Sequence, residues 1–146
     1  MSTQNDTGIS LGDDFINGYK VKKCSELDYT EDTIFYFYDS IHSFEGKQAV
    51  LDSIESILLD KGIGFGGVYC TMISLDDWVE DFKEVVGYEK ALSQPVMYFS
   101  VGGEIDLEEA IVTLLEARYY AKIALKIYLD LYPEDKNKLD KYFELL

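Results

Sequence analysis

Residues that hold metals or carry redox chemistry are scarce in this chain: it has one histidine, His42, and two cysteines, Cys24 and Cys70. A closed zinc site takes four N or S donors at short spacing, so neither a metal site nor any other cofactor is expected. The cysteines have no metal or redox spacing and fit a reduced cytosolic chain, while a disulfide between them stays open. Basic charge is short as well. Thirteen Lys and Arg stand against 28 Asp and Glu, giving a net charge of −15. Binding to nucleic acid requires Lys and Arg to release counterions from phosphates, and anionic membrane surfaces attract basic segments. Neither is expected as a partner. No apolar run reaches the ~18 residues of a membrane span. The N-terminus has no basic residue before Lys20 and no long apolar stretch, so no signal peptide is expected and the location is read as cytoplasmic.

Repeats, linkers and low-complexity segments are also missing. What remains is a chain of 146 residues, 47% of them apolar, which is the size and composition of one domain able to build its own core. Residues 1–12 are polar and are expected to be disordered, with 13–146 forming the domain.

The organising stretch runs from Asp106 to Tyr132. Ala110, Leu114, Ala117, Ala121, Leu125, Tyr128 and Tyr132 recur at helical steps, which predicts one long core helix. Asp106 is its expected N-cap, with Glu109 reaching back to it and Glu108 and Glu109 favoured by the helix dipole. Pro133 ends it. Ile111, Leu115, Ile123, Ile127 and Leu131 form a second apolar face, so the helix is expected to be covered on several sides.

Upstream, Ile34, Phe37, Tyr38, Ile41 and Phe44 predict a helix over Thr30–Phe44, capped at Thr30 and broken by Gly46. Lys47–Asp60 is predicted as a second helix facing inward with Val50, Ile54, Ile57 and Leu58, with Gly62 as its terminating glycine. Ile63–Ser74 and Pro95–Val101 read as strands. Leu75–Phe82 reads as one or two helical turns, Glu84–Tyr88 as extended, and Glu134–Phe143 as a short last helix. Asp13–Tyr29 has no decisive period. The expected fold class is α+β: two N-terminal helices, a small, mainly antiparallel sheet, a long central C-terminal helix and a short last helix.

Few constellations carry chemistry. Gly62, Gly64 and Gly67 match G-x-G-x-x-G, but they follow a helix and precede a strand, the reverse of a dinucleotide site. His42 lies on the aromatic helix and reads as structural or surface. Cys70 reads as a small buried strand residue. Asp76, Asp77, Glu80, Asp81 and Glu84 crowd one short segment around the only tryptophan, Trp78. They mark either a solvated face or a concentrated negative field. Twelve tyrosines are many, and some of Tyr36, Tyr38, Tyr69, Tyr88, Tyr98, Tyr119 and Tyr120 are expected on a contact surface. A tyrosine-rich acidic surface suits a basic protein partner.

The Gly62-Ile63-Gly64-Phe65 stretch, Cys70, Asp77-Trp78 with Phe82, and the closing Tyr128 with Pro133-Glu134-Asp135-Lys136 carry a resemblance. Over about Phe35 to Phe143 the chain resembles the immunity proteins of bacterial contact-dependent growth inhibition systems, in particular those paired with ribonuclease toxins. The resemblance implies a non-enzymatic inhibitor that binds the basic C-terminal nuclease domain of a toxin in the cytoplasm. Asp76, Asp77, Glu80, Asp81 and Glu84, with Tyr88 and Glu104, are the expected toxin-binding residues, and the state of assembly, monomer or homodimer, stays open. Two other readings stand beside it: a general acidic interaction module without a toxin, and a small hydrolase using paired carboxylates, which no reliable spacing supports.

Overall fold

The computed structural model describes residues 15–16, 19–20, 29–73, 82–102 and 107–145. Within them the chain forms an α+β domain in which one helical layer covers a four-stranded antiparallel sheet. The segment left undecided by periodicity contains a short hairpin, β1 (Phe15–Ile16) and β2 (Tyr19–Lys20). In helix α1 (Tyr29–Glu45), Ile34, Phe37, Tyr38 and Ile41 are inaccessible, as their 3–4 spacing requires, but Phe44, the last residue of the predicted stripe, is 82% exposed. It already includes Tyr29, so Thr30 lies inside the helix and is not its cap.

Gly46, at φ 97, turns the chain into α2 (Lys47–Leu58). All four predicted inward residues, Val50, Ile54, Ile57 and Leu58, are buried there. The predicted stop at Gly62 is replaced by an earlier one at Asp60. Asp60 takes φ 58, its N–H donates to the Ile57 carbonyl and the Lys61 N–H to the Ser56 carbonyl. This is the paired arrangement that satisfies the last carbonyls of a helix, with an Asp in the left-handed position that glycine usually holds. Arg118 grips the same Asp60 with two hydrogen bonds, 3.2 and 2.7 Å long, which gives the exposed turn a reason for an acid.

The predicted single strand over Ile63–Ser74 is a hairpin instead: β3 (Ile63–Phe65) and β4 (Val68–Ile73), joined by Gly66 and Gly67. Two glycines between paired residues are a strong signal for a two-residue hairpin turn, and Gly66 has the required positive φ of 50. β5 (Val96–Val101) is buried along its whole length. β6 (Glu108–Thr113) pairs with β5, completing the order β3-β4-β5-β6.

β6 corrects the organising stretch. The helix α3 spans Leu114–Leu131 only, and residues 108–113 are a strand. Thr113, not Asp106, is the N-cap. Its hydroxyl accepts from the Glu116 N–H at 3.0 Å, and the Glu116 carboxylate accepts from the Thr113 N–H at 2.9 Å. Asp106 lies outside the described residues. α3 buries one stripe, Ala117, Ala121, Ala124, Leu125 and Tyr128, against α1 and α2. The second apolar face is covered only in part: Ile111, now a strand residue, is buried and Ile123 and Ile127 are half-buried, while Leu115 is 78% exposed and Leu131 is exposed as well.

After α3 the chain makes a 3-10 segment (Pro133–Leu139) and a short helix α4 (Asp140–Glu144), tighter than the single helix predicted there. Leu139 and Tyr142 plug the core, while Phe143 stays at the surface. A polar cluster ties this end down. The Tyr132 hydroxyl meets His42 Nε2 at 2.5 Å, Tyr128 donates to Asp135 at 2.6 Å, and Lys47 pairs with Asp135 at 3.3 Å. Burial holds the His42 ring below its ordinary pKa. The unfolded chain therefore takes up a proton near pH 6.5 while the folded one resists it, so stability is full above that pH and falls as the pH drops below it. The urea midpoint should decrease between pH 7.5 and 5.5, and His42→Gln should decrease less over the same interval.

The helical face of the sheet presents Val68, Cys70, Met97, Phe99, Val101 and Val112 to α1, α2 and α3. Phe37 meets Phe99 edge-on, with ring centroids 5.1 Å apart. Each such side chain taken from water contributes roughly 1.5–3 kcal/mol. Cys70 is buried as expected, and burial pushes its thiol up to about 12, so it has no thiolate character at neutral pH.

Candidate functional site

The second face of the sheet is built differently. Register places Tyr69, Thr71 and Ile73 of β4, Val96, Tyr98 and Ser100 of β5, and Glu109, Ile111 and Thr113 of β6 on it. One half is covered by residues 82–92. Phe82, Val85, Tyr88 and Ala91 pack on Ile73, Val96, Tyr98 and Ile111 in a small core of their own. Predicted as extended over Glu84–Tyr88, this segment is mostly turns with a 3-10 stretch at Tyr88–Leu92. Its single strand-like contact is Val86 beside Ala110, where the Ile111 N–H donates to the Val86 carbonyl at 2.8 Å. That contact also occupies the free edge of β6, which would otherwise offer unpaired backbone.

Gly87 makes the approach possible. It sits at φ 92, and a Cβ there would lie 2.0 Å from the Ile111 carbonyl oxygen. Lys90 completes the anchorage by donating to both oxygens of Glu116, at 3.0 and 3.4 Å. Burial would raise the Glu116 carboxyl, but hydrogen bonds from the Thr113 N–H and from Lys90 outweigh it and hold the group below its ordinary value. One carboxylate thus caps α3 and clamps the segment.

Of the residues expected to bind a toxin, this segment carries two. Glu84 is exposed to solvent, and Tyr88 is half-buried with its ring in the small core. Asp76, Asp77, Glu80, Asp81 and Glu104 lie outside the described residues, as does Trp78. Ile73, which leads into the acidic run, pairs with Val96 at one end of the sheet. Gly102 and Leu107, which flank Glu104 in the chain, follow and precede the pair Val101 and Glu108 at the other end.

The other half of the second face is not covered by described residues. A cavity of about 370 Å³ opens there, lined by Tyr69, Tyr98, Ser100, Gly102 and Leu107 together with the hairpin glycines. Tyr69 is 42% and Leu107 47% exposed. The ring of Tyr98 stacks tilted between Tyr69 and Phe82, with centroids 5.6 and 4.9 Å away. Its hydroxyl donates to Glu109 and accepts from Ser100. Burial, then the bond to Glu109, push the phenol above its ordinary value. Glu109 was expected to brace a helix N-terminus; it is a strand residue whose carboxylate accepts from the Tyr98 hydroxyl, next to the cavity's lining residues and not one of them. Of the tyrosines, Tyr69 and Tyr119 are exposed while Tyr38, Tyr98 and Tyr128 are buried.

Among the described residues no three His, Cys, Asp or Glu side chains are grouped to hold a metal ion, and no helix is long and apolar enough to cross a membrane. No family model matches the chain, and no curated protein matches it. The solved structures are more informative, and the fold they indicate is that of an immunity protein. The chain is similar to an immunity protein from Neisseria meningitidis known from its crystal structure, with a TM-score of 0.73 and 29% identity, covering 80% of this chain and 87% of that one.

Proposed function

We propose that this chain is an immunity protein: a non-catalytic inhibitor that binds and neutralises a cognate toxin domain in the cytoplasm of the cell that makes it. The observation that carries the reading is the likeness to the Neisseria meningitidis immunity protein over four-fifths of the chain. The toxin is a basic C-terminal nuclease domain, in our reading a ribonuclease delivered by a contact-dependent growth inhibition system. A nuclease groove holds phosphates with Lys and Arg, and a protein of net charge −15 offers those groups carboxylates instead. The same charge steers the encounter and makes it depend on salt. Asp76, Asp77, Glu80, Asp81, Glu84, Tyr88 and Glu104 form the proposed contact set.

The test is direct. The reading frame immediately upstream should encode a large secreted protein ending in a basic domain. Expressing that domain alone should arrest growth, co-expressing this chain should restore it, and the two should purify as a stoichiometric complex. Growth arrest that persists in the presence of folded chain, with no complex formed, would end the proposal.

A further inference from the structure

Resting on the immunity reading, we infer that the cavity on the second face of the sheet is a receptor for one arginine side chain of the protein partner. Its chemistry is more specific than charge alone. Its volume, about 370 Å³, falls within the range of built ligand pockets and accommodates a single long side chain. Its wall is amphipathic in the sense a guanidinium requires. Tyr69 and Leu107, both nearly half exposed, offer an aromatic face and an aliphatic flank. A planar cation stacks on such a ring while its methylene stem lies along apolar surface.

The lining itself carries no charged residue, and Glu109, beside it in the sheet, supplies the charge. It sits directly opposite Ser100 in register, and Ser100 sits opposite Tyr69, so the three form one row across the sheet. Two strand spacings, roughly 10 Å, separate the ends of that row. The carboxylate is half-buried, and among the described residues its bonded partner is the Tyr98 hydroxyl. Every lysine or arginine that makes an ion pair among the described residues makes it elsewhere: Lys47 to Asp135, Lys90 to Glu116, Arg118 to Asp60 and Lys141 to Glu55. The relay from Ser100 through Tyr98 fixes the orientation of Glu109. A carboxylate held in that way can accept a charge-assisted hydrogen bond from an arriving guanidinium. Arginine fits better than lysine, because its planar fork can stack on Tyr69 and still donate sideways to a carboxylate.

The probe is the peptide acetyl-Gly-Arg-Gly-amide, titrated into the full-length, ¹⁵N-labelled chain at low salt, with the citrulline peptide as the neutral isostere. Saturable amide shifts centred on Tyr69, Ser100, Leu107 and Glu109 are expected with the arginine peptide. Binding should weaken at least tenfold for the citrulline peptide and for Glu109→Gln, which leaves Tyr98 an acceptor and the fold intact. Tyr69→Ser, at an exposed position, should weaken it as well. Shifts spread evenly over the acidic surface, or equal binding by either peptide or by Glu109→Gln, overturn the assignment. The outcome is separable from the immunity reading. A chain that rescues growth but fails the titration loses the cavity's role alone, and one that passes the titration but never rescues growth loses the reading of its function.

Discussion

Gly87→Ala is expected to lower stability by about 3 kcal/mol. Two effects combine. At φ 92 an L-residue carries a left-handed penalty of about 1–2 kcal/mol. The added carbon would also stand 2.0 Å from the oxygen and 3.0 Å from the carbon of the Ile111 carbonyl, both backbone atoms of a paired strand that cannot rotate aside. The segment at 82–92 must then lift, weakening the Ile111 to Val86 hydrogen bond and uncovering Val85 and Ala91. For a domain of this size the melting temperature should drop by roughly 10 °C. Gly46→Ala separates the two effects, because Gly46 has a similar φ of 97 but open space where its Cβ would go. Circular-dichroism melts should place Gly46→Ala only about 1–2 kcal/mol below wild type. Equal losses for the two variants would mean that the contact with β6 contributes nothing.

Gly87 also marks where the sequence stopped being readable. The helices α1 and α2 were legible because their apolar residues keep a 3–4 period and Gly46 separates them. β5 was legible as a short, mostly apolar run before a double glycine. The Asp106–Tyr132 stretch failed because Ala110, Ile111 and Val112 continue the apolar count of α3 while belonging to a strand buried on both faces. A strand of that kind has no alternation to betray it. The signal that would have divided the stretch is Thr113 followed by Glu116, a capping pair placed just ahead of the true helical run. The hairpin at Gly66 and Gly67 was likewise written in the chain but hidden by a longer glycine-rich motif. Of the site, the acidic crowding was visible because charge is a property of composition. The cavity was not. Tyr69, Ser100 and Glu109 are brought side by side by strand pairing, and their separation in sequence carries no trace of it.

Reversing Asp77, Glu80 and Asp81 to lysine together should slow association with the cognate toxin by on the order of 100-fold at low ionic strength. Steering acts through the field that precedes contact, so most of the loss belongs in the association rate. It should shrink as salt shortens the Debye length from about 30 Å at 0.01 M to about 3 Å at 1 M. Whatever loss persists at high salt then measures direct contacts, which appear in the dissociation rate. Net charge alone could produce part of the effect, and a matched variant isolates it. Asp130, Asp140 and Glu144 are exposed on the helical side, and reversing them changes the net charge by the same amount. Stopped-flow mixing should find that second variant slowed far less, and cells expressing it should stay protected. If both triple variants associate at the same rate, the negative charge acts through its total and not through a concentrated flank. The acidic run then loses its assigned role, although stoichiometric neutralisation of the toxin would survive.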